Sequence, residues 1–346
     1  MLVIRPVTPA DLPQLVELAG LTSFGLTTLP KDPDFLRRRI RDSERGFERI
    51  LDAEPRGESY LFVMEEITTG RILGTSGIVS KVGGFEPFYA FRIETEHYES
   101  EMLGSDRDIT TLHLVREHDG PCEIGSMFMH PDARGKGAGR ALSVARFLFI
   151  AEHPQSFDTS VIAEMRGVID DRGTSAFWNA VGHHFYEIDF PKADSLSILN
   201  KRFIADLMPR HPIYVPLLPP EAQAVIGQVH TDTKPALTIL EAEGFRETGM
   251  IDIFDAGPIV SCRRDDLRLV RESKRATLTA VTDDTIASAP YLVGTTVAAF
   301  RACATTVEIH RDDGVVLPRE AAEALGVVPG DSIRIGRLKP REGTPP

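Results

Sequence analysis

Residues 123–146 restrict the possible folds of this chain more than any other stretch: Glu-Ile-Gly-Ser-Met-Phe-Met-His-Pro-Asp-Ala-Arg-Gly-Lys-Gly-Ala-Gly-Arg-Ala-Leu-Ser-Val-Ala-Arg. Ile124 to Met129 reads as a short apolar strand, Pro131 ends it, and from Arg140 onward the apolar spacing is helical. The turn between them holds Gly135, Gly137 and Gly139. Glycines at that density allow positive φ and leave no Cβ in the way, so consecutive N–H groups can converge on an anion. The following helix adds its positive N-terminal end, and Arg134, Lys136 and Arg140 add full charges. Strand, turn and helix together form a phosphate site.

The turn lacks the Gly-Lys-Ser/Thr ending of a magnesium-nucleotide loop and is not a G-x-G-x-x-G dinucleotide fingerprint. The Arg-x-x-Gly-x-Gly run from Arg134 to Gly139, directly after a strand, resembles the acyl-CoA pyrophosphate loop of the GCN5-related N-acetyltransferase (GNAT) superfamily. That resemblance implies a strand splayed from its neighbour, with Met127, Phe128 and Met129 lining the pantetheine arm and the Met127 amide donating to the thioester carbonyl. It implies that Arg134, Gly135, Lys136, Gly137, Ala138, Gly139 and Arg140 hold the pyrophosphate.

A net charge of −12 and a pI near 5.4 disfavour broad nucleic-acid binding, so an anionic CoA ester needs the local cations of the turn. Cys122, Cys262 and Cys303 are too far apart for a metal or disulfide pattern, and no apolar run is long enough to span a membrane. The start of the chain is too poor in apolar residues for a signal peptide. The expectation is a cytoplasmic protein with no bound metal and no permanent cofactor.

Leu2 to Arg5 reads as a strand, and Asp11 as the cap of a helix. Residues 25–30 read as a loop. Phe35 to Leu51 reads as an amphipathic helix whose Arg37, Arg38, Arg39, Arg41, Arg45 and Arg49 alternate with acids, as on a solvated face. Tyr60 to Glu65 and Ile72 to Val79 form a hairpin, with further strands at Phe91 to Glu94 and Thr110 to Val115. Ser160 to Met165 is a strand ending in the charged run Glu164-Met165-Arg166. A helix from Ala176 to Val181 passes into a strand from His184 to Asp189. The same helix-glycine-strand unit recurs over Lys234 to Phe254. Two closing units beside one glycine-rich turn suggest tandem GNAT-like halves in an α+β chain.

Longer stretches resemble the arginine N-succinyltransferase family: Ile-Arg-Pro-Val (4–7), Gly-Leu-Thr-Thr-Leu-Pro (25–30), Ser-Met-Phe-Met (126–129), Val-Ile-Ala-Glu-Met-Arg-Gly-Val-Ile-Asp (161–170), Ala-Asp-Leu-Met-Pro-Arg-His-Pro-Ile-Tyr (205–214), Val-Ile-Gly-Gln-Val-His (225–230) and Ile-Asp-Ile-Phe-Asp-Ala-Gly-Pro (251–258). The resemblance implies transfer of a succinyl group from succinyl-CoA to L-arginine, with Met127 contacting the thioester and His230 as proton donor. An imidazole with a pKa of about 6.5 can protonate a CoA thiolate, whose thiol pKa is roughly 8 to 9 by analogy with cysteine. Glu164, Asp252 and Asp255 are candidates for the base or the guanidinium partner, and Thr27, Thr28 or Arg166 for the succinyl carboxylate. The turn is richer in glycine than the family pattern, which leaves ornithine or acetyl-CoA as alternatives.

The domain reading is a GNAT-like acyl-CoA-binding half at 1–190, a second half carrying His230 at 191–262, a linker at 263–296 and a small β-rich module at 297–346. The module resembles a swapped-hairpin AbrB-like barrel, which raises a CoA-sensing or DNA-binding regulator as a competing class. Its balanced charge favours dimerisation or packing on the catalytic part instead. A copy of the chain or a homologous subunit is a possible partner.

Overall fold

The computed structural model describes residues 1–22, 29–51, 54–84, 86–135, 137–199, 202–297, 299–310 and 313–341. Its strands are β1 (Leu2–Pro6), β2 (Ser59–Glu66), β3 (Arg71–Val79), β4 (Phe88–Ser100), β5 (Ser105–Glu117), β6 (Cys122–Met129), β7 (Ser160–Glu164), β8 (Ile213–Tyr214), β9 (Arg246–Ile251), β10 (Pro258–Arg263), β11 (Lys274–Thr282), β12 (Tyr291–Thr295), β13 (Ala302–Thr305), β14 (Glu308–Ile309), β15 (Gly314–Pro318) and β16 (Ser332–Arg337). They join in the order β14-β15-β11-β16-β12-β13-β1-β2-β3-β6-β7-β10-β9-β4-β5-β8. Only β6 with β7 and β11 with β15 run parallel among the described residues. The connection from β6 to β7 runs through the helix Ala138–Glu152, as a parallel crossover requires.

The result is an α+β fold built on one continuous sheet, but the expected tandem division takes a different form. Strands β9 and β10, expected in a second half at 191–262, build no sheet of their own. β10 pairs antiparallel with β7 from Ile259↔Glu164 to Arg263↔Ser160, and β9 lies beyond it. The second helix-glycine-strand unit thus completes the sheet begun by residues 1–190. Local periodicity is the same for a closing strand and for a new domain, so the sequence alone does not separate them.

The helix Ala138–Glu152 is buried almost all round: Leu142, Val144, Ala145 and Phe147 to Ile150 are all at most 1 % exposed. A helix apolar on every side must be covered on every side. One side is covered by the sheet, the other by the C-terminal strands. Gly294 of β12 lies so close that a Cβ there would sit 2.8 Å from Leu148 Cδ2. Arg334 Nε donates to Glu152 Oε2 at 2.8 Å, and Arg275 pairs with the other carboxylate oxygen. β13 also hydrogen-bonds β1 at Ala302↔Ile4. The tail is therefore packed on the helix that follows the glycine turn.

Residues 263–296, expected as a linker, contain the helix Arg268–Glu272 and strands β11 and β12. Their clustered arginines hid this, because several are structural: Arg268 lies buried against Glu243 at 2.6 Å. The strand expected from His184 to Asp189 is instead the helical turn His183–Tyr186, with Tyr186 stacked on Trp178. Gly182 permits this, since a Cβ would lie 2.3 Å from the indole. The short strands expected near 91 and 110 are parts of a thirteen-residue hairpin pair, β4 and β5, whose outer half is polar on both faces.

Among the described residues no helix is long and apolar enough to cross a membrane. None of their His, Cys, Asp and Glu side chains group into a set able to hold a metal ion.

Candidate active site

The site starts from a break in the sheet. β6 pairs with β7 only at Cys122↔Val161 and Glu123↔Ile162, although β7 continues to Glu164. On its other edge β6 pairs with β3 up to Gly74↔Met129, with a register shift between Thr75 and Gly77. The shift falls at Ser126, which adopts φ +55°, unusual for a residue with a side chain. Thr75 Oγ1 donates to the Ser126 carbonyl at 2.8 Å, and the Arg39 guanidinium donates to its hydroxyl. Gly125 to Met127 thus borders a gap where β7 has parted from β6. An extended amide-bearing ligand can take the place of the missing strand there.

The glycine turn follows at the end of β6. Gly135 and Gly137 have φ +84° and +79°, and a Cβ at either would meet only open space. Their role is conformational rather than one of crowding. Gly139 needs neither freedom, since a Cβ there would make ordinary contact with Met129 at 3.7 Å. Ala138 is buried at the helix start, where Gly137 is the cap residue. Arg134 Nε donates to the Met129 carbonyl at 3.2 Å while its guanidinium lies over the Phe128 ring, which ties the turn back to β6. Arg140 lies half-buried, with its Nη1 buried and without a hydrogen-bond partner among the described residues. Burial holds its guanidinium below the ordinary range, with Glu243 acting in the opposite sense. A half-buried cation with a buried donor at a helix start fits an anionic ligand. Lys136 lies outside the described residues, as do Thr27 and Thr28.

His230 is fixed at the end of β7. Its N–H donates to the Arg166 carbonyl at 2.8 Å, and Val229 bridges Gly167 beside it. The ring caps the turn Thr231–Thr233: Nδ1 accepts from the Asp232 N–H at 3.2 Å. A neutral imidazole accepting at Nδ1 carries its hydrogen on Nε2, which is the nitrogen left to hydrogen-bond a ligand. Val229 and Met127 pack on the same apolar core.

Glu164 ends β7 with an exposed side chain, at the mouth of the same gap. The other acids and Arg166 have a different use. Arg166 donates to Asp194 Oδ2 at 2.6 Å, lies 3.1 Å from Asp255 Oδ2 and stacks over Phe190. These two carboxylates raise its pKa further, outweighing burial. Asp255, 1 % exposed, also accepts from the Gly167 and Gly257 N–H groups at 3.0 and 2.8 Å. Asp252 Oδ1 accepts from the Phe254 and Asp255 N–H groups. Burial, followed by the charge of Asp255, pushes Asp252 up to about 7. Arg166 and Asp255 therefore bind each other and the backbone, clamping the end of β7 to the β9–β10 turn. They support His230 from behind and leave Asp252 and Glu164 as the acids not consumed by that clamp.

Sequence reasoning passed over Arg39. The solvated-face reading holds for Arg37 and Arg45, which are exposed and paired with Asp34 and Asp42. Arg39 instead turns inward to Ser126. The signal available was its spacing, one residue from the buried Ile40 and three from the buried Leu36, but the run of neighbouring arginines masked it.

Residues 2–269 match the family described as arginine N-succinyltransferase beta subunit, and residues 274–336 match that subunit's C-terminal domain. The tail is thus described by its own family's domain rather than by the AbrB-like resemblance. The chain is 42 % identical to an arginine N-succinyltransferase of Yersinia pestis, over 98 % of both chains. It is 44 % identical to the arginine N-succinyltransferase subunit beta of Pseudomonas aeruginosa, over 84 % of this chain and 85 % of that one. The structure of arginine/ornithine succinyltransferase subunit AI from Pseudomonas aeruginosa superposes with a TM-score of 0.89 at 37 % identity, covering 98 % of this chain and 99 % of that one.

Proposed function

The chain belongs to the arginine N-succinyltransferase family of acyltransferases, and we propose that it transfers the succinyl group of succinyl-CoA to the α-amine of L-arginine. The observation that carries this reading is the gap between β6 and β7, with Met127 on one side and His230 hung from the end of the other strand. The CoA ester lies along β6 with its pyrophosphate on Gly135, Gly137 and Arg140. The amine of arginine, once neutral, attacks the thioester carbonyl, and the C–N bond forms as the Met127 amide steadies the oxyanion. As the C–S bond breaks, the attacking nitrogen sheds its second proton to His230, and the imidazolium so formed gives a proton to the departing thiolate. Glu164 or Asp252 takes the proton of the incoming ammonium. No covalent enzyme intermediate is needed.

The solved neighbour's description as an arginine/ornithine enzyme favours ornithine as a second acceptor. The relatives described as subunits favour assembly with a copy or a homologous chain. Three buried cysteines with no disulfide among them support a reducing, cytoplasmic setting. The test is thiol release from succinyl-CoA with arginine, ornithine or no amine, for the protein and its His230→Ala variant. Arginine-dependent release that falls about 100-fold or more in the variant is expected from loss of a general acid. No amine-dependent release from the unaltered chain refutes the reading.

A further inference from the structure

The register of β3 on β6 shows where the strand beside the gap bends. The two pair at Gly77↔Gly125 and again at Thr75↔Phe128. Between these points β3 has one residue, Ser76, and β6 has two, Ser126 and Met127. The extra residue makes a β-bulge, and its left-handed position is taken by Ser126, at φ +55°, rather than by a glycine. Several contacts hold it there. Thr75 Oγ1 donates to the Ser126 carbonyl at 2.8 Å, and the Arg39 guanidinium donates to the Ser126 hydroxyl. Gly77 leaves room for that hydroxyl, since a Cβ there would sit 3.0 Å from it. The preceding carbonyl, of Gly125, accepts from Arg146 Nη1 at 3.3 Å. Ser76, opposite the bulge, donates to the Leu142 carbonyl at 3.3 Å and ties β3 to the helix after the glycine turn. Thr75 and Ser76 are fully buried and Ser126 is 4 % exposed, so bulk water does not compete for these bonds.

The carbonyl of Ser126 and the N–H of Met127 are the two ends of one planar trans peptide, and they point in opposite directions. Whatever holds the oxygen therefore aims the hydrogen. β3 and β7 flank β6 on opposite edges. Resting on the succinyl-transfer reading, in which the Met127 amide meets the thioester oxygen, we infer that Thr75 is the positioning residue for that amide. Its hydroxyl draws the Ser126 oxygen toward β3 and so turns the Met127 N–H to the other side, where β7 has parted from β6. The same bond also strengthens the donor: a carbonyl that accepts a hydrogen bond polarises its peptide, and the N–H at the far end gains positive charge. Thr75, fully buried, touches no reactant. Its effect is on the direction and strength of one donor, which counts most as negative charge develops on the thioester oxygen.

The experiment compares the full-length chain with Thr75→Val, which keeps the shape and loses the donor, and Thr75→Ser, which keeps the donor. Steady-state kinetics read kcat and the KM for succinyl-CoA with arginine. Infrared spectroscopy reads the stretch of an isotope-labelled thioester carbonyl in acetyl-CoA bound to each protein, with no amine present. Loss of an oxyanion donor costs about 100–1,000-fold in kcat and a misdirected one costs less, so kcat in Thr75→Val falls about 10–100-fold while KM stays within about threefold. The bound carbonyl stretch rises in the same variant as its hydrogen bond weakens. Thr75→Ser returns the stretch and brings kcat to within about threefold of the unaltered chain, because the hydroxyl is back in place. A role confined to packing lowers Tm and leaves both the stretch and the kcat of the folded protein unaltered. An unchanged stretch in Thr75→Val, or an equal fall of kcat in the valine and serine variants, overturns the proposal. Should Thr75→Val not fold, Thr75→Cys, close to serine in size with only a weak S–H donor, is read in its place. Should the unaltered chain not turn over arginine, the succinyl-transfer reading fails by itself, and the carbonyl stretch still decides the role of Thr75.

Discussion

Replacing Asp255 by alanine tests the claim that the acids near Arg166 are structural. The carboxylate is 1 % exposed and serves three groups: the Gly167 N–H at 3.0 Å, the Gly257 N–H at 2.8 Å and Arg166 Nη1 at 3.1 Å. Water cannot easily replace it, because the two strands touch there; a Cβ on Gly257 would lie 2.0 Å from the Met165 carbonyl. Each buried N–H left without a partner costs about 1–3 kcal/mol, and stripping a buried ion pair of one member costs about 3–5 kcal/mol. These costs overlap, because Asp194 still neutralises Arg166. The expected loss is about 3–5 kcal/mol, which at a few degrees per kcal/mol lowers Tm by roughly 5–15 °C. Thermal unfolding followed by circular dichroism measures it. His230 hangs from the Arg166 carbonyl, so kcat measured well below the variant's Tm is expected to fall by about tenfold as the ring shifts. A Tm drop under about 2 °C with unchanged kcat refutes the clamp, since it shows that the carboxylate stabilises nothing there.

Three further outcomes follow from the site. Gly137→Ala meets no clash but forces alanine into φ +79°, so it loses about 1–2 kcal/mol of stability, and acetyl-CoA affinity measured by calorimetry drops at least about fivefold as the cap residue relaxes. Asp252 is held at about 7 when folded against roughly 4 unfolded, so its proton stabilises the fold below pH ~4 and that contribution is lost as pH rises through about 7. Asp252→Asn keeps the acceptor for the Phe254 and Asp255 N–H groups, so its Tm exceeds that of the unaltered chain at pH 8 and the difference closes near pH 4. A gap that instead widens as pH falls refutes that assignment. Gly294→Ala drives a methyl to 2.8 Å from Leu148 and is expected to cost about 1–3 kcal/mol in chemical denaturation, unfolding the tail and the glycine-turn helix in one transition. Two separated transitions show that the tail is an independent unit.

The conformation of the glycine turn was legible in the sequence because it is set locally. Gly135, Gly137 and the strand and helix around them lie within one short stretch, and positive φ, charge and helix polarity are set by neighbouring residues. The hexapeptide 225–230 singled out His230 as a candidate, and the structure adds the hydrogen bond that its Nδ1 accepts from the Asp232 N–H. Long-range pairing was not legible. Whether β9 and β10 close the first sheet or open a second depends on hydrogen bonds between residues about a hundred positions apart, as at Ile259↔Glu164. The clamp of Arg166, Asp194 and Asp255 is hidden for the same reason: a charged run after a strand looks alike whether it faces a substrate or its own chain. Arg39 shows the point most directly. Sequence placed it on a helix among five like residues; only the packing of that helix over a glycine pair on two other strands turned one guanidinium inward. Local conformation was written in residue type and spacing, whereas the occupant of each charge was decided by which distant strands the core brought together.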